Sequence, residues 1–115
     1  MKKLLLFVAF SATAIGVQAK EPVDNLGAQA ISVADYTTAE AQLTTALKRS
    51  PDLPEALLNM AYVYRSTGRA SAAMALYQHV LAIPSVDLIG KTDKPISSHD
   101  IARRGMAHLQ VIASR

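Results

Sequence analysis

From Tyr36 onward the apolar residues return at helical intervals. Tyr36, Ala39, Leu43, Ala46 and Leu47 share one face, while Thr37, Glu40, Thr44 and Lys48 lie opposite, which predicts a helix over 36–49. Lys48 and Arg49 suit the negative end of that helix, and Pro51 and Pro54 stop it. Leu57, Met60, Ala61 and Tyr64 then recur at i, i+3, i+4 and i+7, predicting a second helix over 55–66 with Gly68 as its left-handed stop. Ala73, Leu76, Tyr77, Val80 and Leu81 mark the buried face of a third helix over 70–83, which Pro84 ends.

The second and third helices are joined by a tight turn at Gly68, so they lie antiparallel only if their backbones approach closely. Ala61 and Ala73 supply that closeness, and Leu57, Met60, Tyr64, Tyr77 and Val80 fill the space around them. The stretch is a helical hairpin.

This spacing resembles the tetratricopeptide repeat, a 34-residue helical hairpin with large and small residues at set places. With the unit begun at Pro54, Leu57 stands where the family has tryptophan and Met60-Ala61 replaces its Leu-Gly pair. Tyr64, Gly68, Ala73, Tyr77 and Val80 follow at the family's tyrosine, glycine, alanine, aromatic and alanine places. A second unit appears 34 residues earlier, at Lys20, carried by Leu26-Gly27, Ala34-Asp35-Tyr36, Ala39, Leu43, Ala46 and Pro51. Ala34 departs from the family, which has glycine there, and Ser85 misses the closing proline by one position. The resemblance covers 20–85, in units of about 20–53 and 54–87. Its first helix, near Val23 to Val33, is expected to be short or frayed, because Pro22, Asn25, Gly27, Ile31 and Val33 are poor helix formers.

After Pro84 the pattern changes. Val86, Leu88 and Ile89 precede the polar stretch Gly90 to Lys94, and Pro95-Ile96 follows, which predicts a short β-hairpin or a loop over 86–97. Ser97 with Asp100 three residues later reads as a capping box opening a helix over 98–113. Ile101, Ala102, Gly105, Met106, Leu109, Ile112 and Ala113 form one broad face, expected to cover the 55–83 hairpin as an end cap. The fold class expected is therefore all-α: about two tetratricopeptide-like hairpins, a short β-hairpin or loop, and a C-terminal capping helix.

Charge changes the picture mainly at the start of the chain. Lys2 and Lys3 precede an uncharged apolar run, Leu4 to Val17, and Val17-Gln18-Ala19 puts small residues where a signal peptidase reads. Residues 1–19 are expected to be a cleaved signal peptide, with the mature chain beginning at Lys20 and no stable membrane insertion afterwards. A spanning helix needs roughly 20 apolar residues, and Lys20-Glu21-Pro22 ends this run short of that. Twelve basic and nine acidic residues give a net charge of +3; without Lys2 and Lys3, ten face nine and leave +1. That balance lacks the footprint of a nucleic-acid binder. The chain has no cysteine, so disulfides and thiolate chemistry are excluded and the apolar half of the sequence must carry the core.

Few residues offer catalytic or metal chemistry, and no cofactor is expected. His79, His99 and His108 include no pair at i, i+4, so no metal site is expected. Ser97-Ser98-His99-Asp100 holds the letters of a triad, but consecutive residues at a helix start point in different directions. Gly90-Lys91-Thr92 ends like a phosphate loop without the earlier glycine or the buried strand. Arg103 and Arg104 read as a surface salt-bridged to Asp100. The chain is not expected to be an enzyme.

The remaining feature is the face of the second helix that its packing does not need. Tyr62 points about 200° away from Tyr64 around that helix. The resemblance implies that the first helix of each unit lines a groove, which places Glu55, Leu58, Asn59, Tyr62, Arg65 and Ser66 along it. It further implies a protein-interaction scaffold or adaptor in the bacterial periplasm, binding a protein or peptide segment in the cell envelope. Two alternatives stand beside it. Two units are fewer than the about three that usually make a stable array, so a homo-oligomer could complete the stack; or a pocket under 86–97 could hold a small ligand.

Overall fold

A computed structural model describes residues 26–90 and 92–114. The signal-peptide expectation lies outside the described residues. Within them the chain forms α1 (Ala28–Ser32), α2 (Tyr36–Arg49), α3 (Pro54–Ser66) and α4 (Ala70–Ala82), then β1 (Asp87–Ile89), β2 (Pro95–Ser97) and α5 (Ser98–Ala113). The fold is all-α apart from the small hairpin. α2 is capped by Asp35, whose carboxylate accepts from the Thr38 N–H at 3.2 Å, and it ends on Lys48 and Arg49. α3 opens on Pro54, whose missing N–H costs nothing in a first turn. α1 has only five residues, because Gly27 sets its start in a left-handed conformation with φ 77°.

The 34-residue period is written into the backbone at the turns. Ala34, with φ 60°, and Gly68, with φ 79°, are both left-handed. After α1, the Ala34 N–H donates to the Ile31 carbonyl (2.9 Å) and the Asp35 N–H to the Ala30 carbonyl (2.8 Å). After α3, the Gly68 N–H donates to Arg65 (3.3 Å) and the Arg69 N–H to Tyr64 (2.8 Å). These are the two crossed hydrogen bonds of a Schellman turn, and each partner in one lies 34 positions from its counterpart in the other. The alanine that departs from the family's glycine adopts the glycine's conformation.

Packing follows the same period. Ala39 and Ala73, 34 apart, are both fully buried where helices cross. One apolar cluster joins Ala30, Ala39 and Leu43 to Ala56, Met60 and Val63 of α3. The other joins Leu57, Leu58 and Ala61 to Ala73, Tyr77 and Val80 of α4 and to Ala102 and Leu109 of α5. α3 is thus buried on two sides, as the central helix of the stack, and α5 covers the α3–α4 hairpin. Arg69 fastens the first unit to the second: its guanidinium donates to both Glu40 oxygens, at 3.1 and 2.7 Å, and lies 4.4 Å over the Tyr64 ring. Bidentate geometry is the strong form of this ion pair. The His79 Nε2–H donates to Asp52 at 2.7 Å, tying α4 to the loop before α3.

The hairpin and α5 are joined through Ser98. β1 and β2 are antiparallel, with Asp87 opposite Ser97, Leu88 opposite Ile96 and Ile89 opposite Pro95. One rung further out, the Ser98 N–H donates to the Val86 carbonyl at 2.7 Å. The Val86 N–H, whose ladder partner would be the Ser98 carbonyl, donates instead to the Ser98 hydroxyl at 3.0 Å. The hydroxyl stands in for a carbonyl that the helix has taken, which is why this serine is fully buried. Ser97 caps α5, accepting from the Asp100 N–H at 3.0 Å, but the Asp100 carboxylate turns to Arg103. Only half of the expected capping box forms. The His99 Nε2 carries the proton it donates to the Ile83 carbonyl at 2.7 Å, closing the end of α4.

Gly105 lets α5 approach. A Cβ there would overlap the Tyr77 ring, so the ring lies directly on the glycine's backbone. The face expected to be covered ends sooner than the sequence pattern implies. Leu109 is buried, but Ile112 is 49% exposed and Ala113 is exposed as well, because α5 runs past the end of the hairpin it covers.

Candidate functional site

The outer strip of α3 faces an open cleft of about 900 Å³. Glu55, Leu58, Asn59, Tyr62 and Arg65 line it on one side, facing the hairpin's Leu88, Ile89, Gly90 and Ile96. Leu26, Ala28 and Ile31 extend the wall from the first unit. Ile101, Arg104, Gly105 and His108 of α5 complete it, with Tyr77 on the floor. The groove implied by the repeat and the pocket imagined under 86–97 are one space.

The six residues placed in the groove from sequence have different fates. Tyr62 is 37% exposed and held on both sides: the Tyr36 ring lies 6.4 Å away, tilted by 60°, and the Arg65 guanidinium sits 5.0 Å over its face. Such contacts order a side chain before any ligand arrives. Leu58 is buried in the core cluster and forms floor rather than rim. Asn59 spends a donor on the Leu26 carbonyl, at 3.0 Å, and so joins the two units at the cleft wall. Ser66 is exposed and lies outside the cleft lining.

Sequence reasoning missed the contribution of α5. Arg104 is not part of the surface pairing with Asp100; Arg103 makes that bond, at 3.0 Å, while Arg104 lines the cleft. His108 lines it too. Their i, i+4 spacing, with Ile101 one turn before Arg104, shows that they share a face, but only the packing of Gly105 on Tyr77 aims that face at α3. Burial pushes the Tyr77 phenol above its ordinary pKa, the nearby Arg65 pulling the other way, so the floor stays uncharged at neutral pH. The cleft has an apolar floor of Leu58, Tyr77 and Ile101 beneath a rim with Arg65, Arg104 and His108 against Glu55. Among the described residues no three His, Asp or Glu side chains gather as a metal site.

Two stacked helical hairpins, identical at their turns, with a cleft along the first helices, define a helical repeat protein. The family model for the tetratricopeptide repeat matches residues 30–84, which supports membership of the tetratricopeptide repeat family. Repeats of this family generally mediate protein–protein interaction. Comparison with curated proteins and with solved structures gives no match.

Proposed function

We propose that the protein is an exported interaction scaffold that binds a partner's peptide segment in the α3–α5 cleft and carries out no catalysis. The observation that carries this reading is Tyr62, an exposed aromatic side chain held ready between Tyr36 and Arg65 over an apolar floor. Aromatic and arginine anchors beside apolar pockets are where binding energy concentrates. The signal-like pattern of residues 1–19 supports a periplasmic setting; no helix among the described residues is long and apolar enough to cross a membrane. A second reading, a small apolar ligand, draws on the same floor beneath Leu88 and Ile96.

Replacing Tyr62 with a photoreactive residue tests the site in cells, with the exposed Gln78 on α4 as control. A distinct protein adduct from position 62 and none from position 78 is expected; equal adducts from both would place the function elsewhere. Tyr62→Ala with Arg65→Ala should weaken capture of that partner by more than about 2 kcal/mol. Its fold should lose no more than the about 0.5–1.5 kcal/mol of the Tyr36 contact. Transfer of a hydrophobic dye into the cleft, with no protein adduct, would favour the ligand carrier.

A further inference from the structure

The hairpin wall of the cleft offers backbone as well as side chains. Pro95 has no N–H, so the Ile89–Pro95 pair cannot be the doubly hydrogen-bonded kind. The bond from the Ser98 N–H to the Val86 carbonyl fixes the same alternation: Val86–Ser98 and Leu88–Ile96 are the bonded rungs. The backbone N–H and C=O groups of Asp87 and Ile89 therefore point away from β2, to the open edge of β1. β1 and its turn give the cleft Leu88, Ile89 and Gly90, whereas β2 gives only Ile96, so β1 is the strand nearer the cleft. Leu88 and Ile96 occupy the face turned to the helices and are half-buried, while Ile89 is 65% exposed.

An open strand edge beside a cleft accepts one more strand. The ionic lining chooses its composition: Arg65 and Arg104 outweigh the single Glu55. We propose that the partner segment enters as an extended, acidic strand that pairs antiparallel or parallel with the free edge of β1. Its backbone exchanges hydrogen bonds with Ile89, alternate apolar side chains face Leu58 and Tyr77, and an Asp or Glu reaches Arg65 and Arg104. This rests on the cleft being the binding site, and adds to it the shape and charge of the occupant.

The test uses the purified protein and a displayed library of random peptides of about ten residues. Selected peptides should alternate β-branched or aromatic residues with Asp or Glu. N-methylating the peptide nitrogens of one alternate set should weaken binding at least about tenfold, the scale of one or two lost hydrogen bonds, while methylating the other set changes little. Saturating peptide should slow hydrogen exchange at the Ile89 amide, and Arg104→Ala should weaken acidic peptides at least about fivefold. An empty selection, basic or helix-forming winners, or equal tolerance of both methylated sets would overturn the proposal. If a winner tolerates both sets yet is lost with Tyr62→Ala, the added strand is wrong and the cleft stands. If winners ignore Tyr62→Ala with Arg65→Ala, the cleft itself is the wrong site. Concentration-dependent dimers that exclude every peptide would give the β1 edge to a second copy and also overturn the proposal.

Discussion

Ala34→Gly should stabilise the fold, although it removes a side chain and adds freedom to the unfolded chain. Ala34 sits at φ 60°, where a Cβ costs about 1–2 kcal/mol against the neighbouring carbonyl. Glycine relieves that cost but spends about 0.4–1 kcal/mol more entropy on folding. Ala34 is exposed, so the methyl group takes no core packing with it. The net is a gain of about 0.5–1 kcal/mol, which in a domain of this size raises the melting temperature by about 2–8 °C.

The chain contains its own control 34 positions later. Gly68 adopts φ 79° in the same turn, and nothing lies within 4 Å of a Cβ built there. Gly68→Ala is therefore a purely conformational change, expected to cost what Ala34→Gly gains. With the two changes additive, the double swap should return the stability to within about 0.5 kcal/mol of the parent. Far-UV circular dichroism on heating, with urea unfolding as a second measure, reads all four proteins. A lower melting temperature for Ala34→Gly, or no loss for Gly68→Ala, would refute the account of these turns.

Gly105→Ala should cost about 1–3 kcal/mol in urea unfolding, despite alanine's better helix propensity, because the new Cβ meets the Tyr77 ring. Ala61→Leu should overpack the α3–α4 crossing by a similar about 1–3 kcal/mol, while Ala70→Leu, at an exposed position by the turn, costs less; equal melts for Ala61→Leu and parent would mean the helices do not meet there. The Arg69 hydrogen bonds hold the Glu40 carboxylate below its ordinary pKa of 4.5, so their stabilisation is present above that pH and is lost as pH falls through the lowered value. Glu40→Gln should therefore be less stable than the parent at neutral pH, by the about 0.2–1 kcal/mol of an exposed pair, with the gap closing in acid below the lowered value; a gap that persists there would contradict this sign. Intact mass of periplasmic protein should start at Lys20, and retention of Met1 in a membrane fraction would count against the signal peptide.

Local physics made most of the fold legible. α2 runs from Tyr36 to Arg49, where periodicity and the flanking prolines put it, and α3 and α4 differ from expectation by a single residue at one end. Their signals are contained in the helices themselves. Leu58 shows where such reasoning ends: the pattern of its own helix leaves it off the buried face, yet it joins the core cluster that spans α3, α4 and α5. Asn59 is similar, since nothing in its helix announces a bond to the carbonyl of Leu26. The candidate site was half visible for the same reason. Its α3 strip follows from one helix's geometry, whereas Arg104 and His108 enter only once a hairpin has fixed the rotation of another helix.

That hairpin is also what separates this cleft from an open repeat groove. A third unit in register would begin 34 residues after Pro54, at residue 88, but α5 begins at Ser98, ten positions later. The extra residues form β1, its turn and β2, and α5 then docks on the last hairpin through Gly105 and Tyr77. In the first unit Gly27 meets Leu43, the residue 34 positions before Tyr77, so a glycine lies against each of these large side chains. The stack thus ends with a small-on-large contact of the kind used inside it, even though the connection is longer. A helix placed directly after α4 would leave the strip of α3 facing solvent on one side. With the insertion, Leu88, Ile89 and Ile96 stand opposite Tyr62 and Arg65 and convert that strip into one wall of a two-walled cleft. Two units give too short an array to wrap a long partner, and a second wall lets so short an array enclose a brief segment.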